Sequence, residues 1–269
     1  MRLHRLPLFL ACCLIFTLAA CNLVHTQAPN QTETELQAQE TKTKTTQRTP
    51  ISQIQGAQHR SPLEGQKVTN VYGIVTGITG NGFYLQDPKP DLDERTSEGI
   101  FIATYKVSTV KVGDEVLIAS GVVKEFNPAG IGSNSLTITQ IQTNDINILS
   151  KGNLLPEPIV LGEGGRTIPN QVITNDVNGY AGKSGLFDPQ EDGLDFYESL
   201  EGMRVQVNQA LSVSPTSKYR EVVVVADKGK DATVLSSRGA LVIRPDDLNP
   251  ERILIDDVFI NIPEIQVGA

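Results

Sequence analysis

Between Gly82 and Ile102 the chain reads GFYLQDPKPDLDERTSEGIFI, two short runs of alternating character around a polar loop that opens Asp-Pro and closes Ser-Glu-Gly. Neighbouring residues of a strand point to opposite faces, so each run sends one set of side chains to a core and the other to the surface. Together they form a hairpin with Phe83, Leu85, Ile100 and Ile102 inside and Tyr84 and Phe101 sharing the outer face. Ahead of it, residues 68 to 79 are a β-branched run broken by Gly73 and Gly77, where a strand can bend around a small barrel. Behind it, Val112-Gly113-Asp114-Glu115 reads as a turn and residues 116 to 123 as a strand. Beyond the Gly-Ile-Gly-Ser-Asn loop at 130 to 134, residues 136 to 141 are a fifth. Five such strands, the first strongly bent, are the inventory of an OB-type barrel. The expected class is therefore all-β, with an OB-like five-stranded barrel over residues 61–143.

A second, similar unit is written further along. SPLEGQKV at 61–68 and ESLEGMRV at 198–205 share Leu-Glu-Gly-x-basic-Val ahead of a β-branched run, and Lys111-Val112-Gly113 has a counterpart in Gln266-Val267-Gly268. The spacing predicts a loop-rich connector over 144–197 and a second OB-like unit over 198–269. In that unit strands are expected at 203–213, 221–226, 240–244 and 253–259. In the first unit two strands follow Val112-Gly113, whereas Val267-Gly268 stands one residue from the last. The second unit is thus expected to be truncated, with an open sheet in a complete product as the other reading. Chance similarity over six positions remains the simplest alternative to a repeat.

The first twenty residues carry Arg2 and Arg5, an apolar run from Leu6 to Leu18 and then Ala19-Ala20, which is the layout of a signal peptide rather than a spanning helix. Leu18-Ala19-Ala20-Cys21 is similar to a bacterial lipobox, in which Cys21 becomes the lipidated first residue; an ordinary secretion signal with a chance cysteine is the blander reading. Cys12 and Cys13 leave with the signal, so the mature chain has no cysteine pair for a disulfide or thiolate site. Residues 22–60 are rich in Thr and Gln and poor in large apolar residues, and predict a disordered tether of roughly 35 Å reach. Export to the cell surface or periplasm, with a lipid anchor in a membrane, is the expected localisation.

In order along the chain, LEGQKVTNVYGIVTG, GFYLQDP, TSEGIFI, VGDEVLIASGVV, FDPQEDGLDFYESLEGMRV and ALVIRPDDLNPERILIDD resemble the non-catalytic OB-like front region of large secreted or surface bacterial nucleases. In those proteins a metal-dependent catalytic domain of the endonuclease/exonuclease/phosphatase type follows. The resemblance implies an accessory or nucleic-acid-binding module whose catalytic domain is missing here, a front piece of the enzyme. A surface lipoprotein that acts as a structural or protein-binding barrel is the alternative from another class, with a separate nuclease or envelope protein as partner.

The chemistry-bearing residues fit a non-catalytic reading. Nucleases of that type need an imidazole beside carboxylates that converge on a metal. The mature chain keeps only His25 and His59, both in or beside the tether and so not expected in a preorganised pocket; no catalytic residue is assigned. Asp188, Asp192 and Asp195 are the metal candidates, since Asp188-Pro-Gln-Glu-Asp192-Gly193 puts Asp at positions 1 and 5 and Gly at 6 of an EF-hand-like loop. Gln190 at position 3 and Ser199 at position 12 weaken it, and a solvated loop capping a short helix is the plainer reading; calcium is the ion such a loop would take. The acidic loop of Asp91, Asp93, Glu94 and Glu98, with Arg95 inside it, reads similarly. For single strands, an OB barrel stacks bases on exposed aromatics beside basic residues. Tyr84 and Phe101, with Lys89, Arg95 and Lys106 nearby, are the binding candidates, unless neighbouring loops cover them. Against phosphate-dominated binding, the chain has 23 basic and 31 acidic residues, a net charge of -8.

Overall fold

The computed structural model describes residues 47–105, 109–130, 132–133, 135–175 and 187–269. The expected barrel is there, and it is closed: β1 (Lys67–Thr79), β2 (Gly82–Gln86), β3 (Gly99–Ala103), β4 (Glu115–Phe126) and β5 (Ile138–Ser150) run in the order β1-β2-β3-β5-β4 and back to β1. β3 and β5 pair in parallel, and every other neighbour is antiparallel. This is the five-stranded OB arrangement. β1 serves both β2 and β4, and its register with β2 shifts between Val75 and Gly77, so the bend falls where the sequence places a glycine. Phe83, Leu85, Ile100 and Ile102 are fully buried, alongside Val71, Val75, Val116, Ile118 and Ile141.

Two boundaries differ from expectation. β5 continues to Ser150 instead of ending near Ile141, because β4 pairs with it along its whole length through three register shifts. The polar positions Asn144, Asp145 and Asn147 that read as connector sit on this bulged outer stretch. The expected tether of residues 22–60 also ends early. α1 (Ile51–Gln55) puts Ile51 and Ile54, three apart and therefore on one helix face, fully inside the barrel core. Five residues suffice because Gly56 at φ 73 closes the helix and the Ser61 hydroxyl donates to the Ile54 carbonyl at 2.5 Å.

The second half forms smaller sheets. β6 (Ile159–Leu161) pairs in parallel with β7 (Val205–Val207), and β8 (Leu211–Ser212), β9 (Val222–Val225) and β10 (Ile253–Ile255) make a three-stranded antiparallel sheet. Residues 240–244, expected as a strand, make only isolated bridges. α2 (Gly193–Glu198) is the expected short helix.

The repeated sequence has matching local geometry. Leu63-Glu-Gly-Gln66 and Leu200-Glu-Gly-Met203 are both tight turns closed by an N–H to Leu carbonyl bond, at 2.9 and 3.0 Å, with Gly65 and Gly202 at positive φ. Further on, the Val-Gly turns hold the first strands alike. Gly113 N donates to Val75 O while Val75 N donates to Asp114 O, and Gly268 N donates to Ser212 O while Ser212 N donates to Ala269 O. Val75 and Ser212 occupy the same place after their Leu-Glu-Gly turns. Strand order β8-β9-β10 thus echoes β1-β2-β3, as an open sheet.

Candidate functional site

Two places on this frame gather chemistry. The first is a groove of about 510 Å³ across the outer face of β2, β3 and β5. Strand register builds it: Tyr84 lies opposite Phe101, Phe101 opposite Gln140, and Ala103 opposite Gln142. A row of one phenol, one phenyl and one amide therefore crosses three adjacent strands. The Tyr84 and Phe101 rings meet edge to face at 5.1 Å, and Phe259 adds a second edge contact to Tyr84 at 6.0 Å. Gly82 is required for this packing, since a Cβ there would stand 2.6 Å from the Phe101 ring and 2.1 Å from the Ile102 carbonyl oxygen. Asn81, Tyr105, Phe126 and Ile138 complete the walls. Phe101 is only 8 % exposed, whereas Tyr105 and Phe126 open to solvent. Burial, followed by the nearby Glu201 carboxylate, raises the Tyr84 phenol above its usual range and keeps it a neutral donor.

The expected basic flank is arranged differently. Arg95 turns back on Asp93 within its own loop through paired contacts at 2.8 and 3.0 Å, and holds that carboxyl down at about 2. Lys89 lines a separate depression with Arg48, Asp87 and Asp91. Neither lines the aromatic groove, because the loop that carries them folds against the segment ahead of α1, where Arg48 pairs with Asp87. Lys106 and the lipidation candidate Cys21 lie outside the described residues. Among the described residues, the groove wall carries no charged side chain. Asn81, Tyr105, Phe126, Gln140 and Gln142 were not singled out from sequence; the alternation of Gln140 and Gln142 about buried Ile141 is the signal that places them outward.

The second place is the acidic cluster. Asp188, Asp192 and Asp195 each offer a carboxylate oxygen within 4.8 Å of the others. Asp192 caps α2: its Oδ1 accepts from Leu194 N and Asp195 N, and its Oδ2 from Asn175 N. Asp195 Oδ2 accepts from Asp188 N at 2.8 Å. Burial, and then the charges of Asp195, Asp192 and Glu191, raise the Asp188 carboxyl, against a hydrogen bond from Asn175.

The structure corrects the reading of His59. It is 6 % exposed, its Nε2 stands 2.6 Å from Asp195 Oδ1, and its ring meets Phe187 edge on at 5.5 Å. Far from lying loose in a tether, it is buried against Asp195 and Phe187, because α1 anchors the chain to the barrel just before it. The signal for this was the Ile51/Ile54 pair.

Between these places, the half-buried Glu201 joins the two halves. Glu201 Oε1 accepts from Thr139 N at 2.9 Å and from Gln55 Nε2, and Ser97 Oγ donates to Glu201 O at 2.6 Å. Arg204 N donates to Gln86 Oε1. Gly99 lies so close to Gly202 that a Cβ on it would sit 2.2 Å from the Gly202 carbonyl carbon.

Residues 160–269 match a family described as a domain of unknown function, DUF8508. That span begins within β6 and includes the acidic cluster, but not the barrel or His59. No curated protein sequence matches the chain. Among solved structures, fission yeast Pot1, in a crystal structure with single-stranded DNA, aligns at 13 % identity over 75 % of this chain and 69 % of its own, with a TM-score of 0.21. At that score the likeness bears on neither fold nor ligand.

Proposed function

We propose that this chain is a non-catalytic binding module that receives an extended single-stranded nucleic acid in the groove of Tyr84, Phe101, Tyr105 and Phe126, as an accessory to a secreted or surface nuclease and held at a membrane by a lipid on Cys21. The observation that supports the reading most is the Tyr84–Phe101–Gln140 row, which sets rings and an amide across three strands of an OB-type barrel. Every base has a face that stacks on an aromatic ring, and each such contact is worth about 1–3 kcal/mol. Gln142 and Asn81 can donate to and accept from base edges. With uncharged walls and an acidic chain, phosphate neutralisation is a small part of the affinity, so the ligand is held by stacking.

The uncharged groove also suits the second reading, a peptide or envelope protein docked on the same face. Titrating the full mature chain with labelled oligodeoxythymidylate across a salt series separates the two. The expected result is binding that falls only weakly with salt, with a log–log slope of magnitude below about 2, and that weakens at least tenfold in Tyr105→Ala. No binding at high micromolar protein overturns the nucleic-acid reading.

A further inference from the structure

We propose that Asp188, Asp192 and Asp195, beside the His59 imidazole that faces Asp195, bind a hard divalent cation of the calcium class at the start of α2. Geometry comes first. Calcium takes oxygen ligands at about 2.3–2.6 Å, so two oxygens on one ion stand up to about 5 Å apart. The three carboxylates satisfy this with oxygens within 4.8 Å of one another.

Unpartnered atoms at the same place are a second, independent observation. Buried polar side-chain atoms are nearly always hydrogen-bonded. Here His59 Nε2, on a residue 6 % exposed, has no hydrogen-bond partner, although it stands 2.6 Å from Asp195 Oδ1. Asp195 Oδ1, on a residue 1 % exposed, and Asp188 Oδ1 lack one as well. The bonds these carboxylates do make orient them without satisfying them: Asp195 spends Oδ2 on Asp188 N and leaves Oδ1 toward His59.

Charge agrees with the geometry. Three carboxylates stand together here, with Glu191 in the same loop. A divalent cation among them replaces mutual repulsion with attraction. Carboxylate oxygens suit calcium, magnesium and manganese. Such an ion holds the loop at Asp188 against the first turn of α2 and stabilises the folded chain by mass action.

Isothermal titration and thermal melting of the full mature chain, stripped with chelator and then given calcium, manganese or magnesium, test the site. One ion per chain is expected, with a melting temperature raised by about 5–10 °C at a hundredfold excess over Kd. Asp188→Asn keeps the N-cap and the Asp195 contact, so it is expected to weaken binding at least tenfold while the metal-free melting temperature stays level or rises; Asp188→Ser is the second variant, with the same expectation. Extracellular calcium modules bind at roughly 0.1–1 mM, so the absence of heat or melting shift at about 10 mM overturns the proposal. Saturable binding that neither substitution weakens overturns it equally.

Discussion

His59 Nε2 and Asp195 Oδ1 stand 2.6 Å apart, one residue just ahead of the barrel and the other on α2 well beyond it. Both side chains are buried, so neither can fall back on water if the other is removed. His59→Ala also opens a void beside Phe187. The expected loss is about 2–4 kcal/mol in urea unfolding, the range for truncating a well-packed buried side chain and leaving the facing carboxylate without its neighbour. A His59→Ala variant as stable as the parent would mean the contact is incidental.

Stability should fall as pH rises from 5 to 9. Burial, then the charges of Glu201, Glu125 and Asp195, raises Glu198 to about 9; burial, then Glu125, raises Glu201 to about 8 against its hydrogen bonds from Gln55 and Thr139. Glu98 is raised to about 7, first by burial. A carboxyl with a raised folded pKa keeps its proton when the unfolded chain has already lost it. Stability is therefore fully present below the unfolded value near 4.5, and it is lost as pH climbs toward the folded one, by up to about 1.4 kcal/mol per pH unit per group. Glu198→Gln should flatten the curve of urea midpoint against pH between 5 and 9. An unchanged slope in that variant would assign the dependence elsewhere.

Gly99→Ala and Gly65→Ala make a matched pair. A Cβ on Gly99 strikes the Gly202–Met203 backbone at 2.2 to 2.5 Å, where nothing flexible can give way, whereas one on Gly65 meets nothing within 4 Å and costs only its φ of +78. The first should lose at least about 3 kcal/mol and loosen the second half from the barrel, seen as faster proteolysis. The second should lose about 1 kcal/mol. Equal losses would mean that the two halves are not rigidly apposed.

Ile51→Ala and Ile54→Ala test whether the segment ahead of β1 belongs to the barrel. Both side chains are fully buried in its core, so each truncation is expected to cost about 2–5 kcal/mol. A cost near zero by chemical denaturation would return these residues to a linker.

Most of the barrel was legible in the chain because its signals are local. Alternation of period two placed Phe83, Leu85, Ile100 and Ile102 inside and turned Tyr84 and Phe101 outward, and Gly77 marked the bend of β1. The Leu-Glu-Gly and Val-Gly turns could be matched between the halves for the same reason, since a turn with Gly at positive φ is specified by a few adjacent residues. The acidic trio was also readable, being three carboxylates within eight consecutive positions. What joins them was not. Nothing near His59 announces that Asp195 will face it, and nothing in Thr-Ser-Glu-Gly announces that Gly99 will lie on Gly202; such meetings depend on how distant segments pack. The same holds for Arg95, which neighbours the aromatic strands in sequence yet spends its charge on Asp93, and for β5, whose polar outer half is a strand only because β4 offers it partners. Local patterns of side-chain polarity and backbone freedom specify elements; burial and electrostatics at contacts between remote segments are properties of the assembled fold.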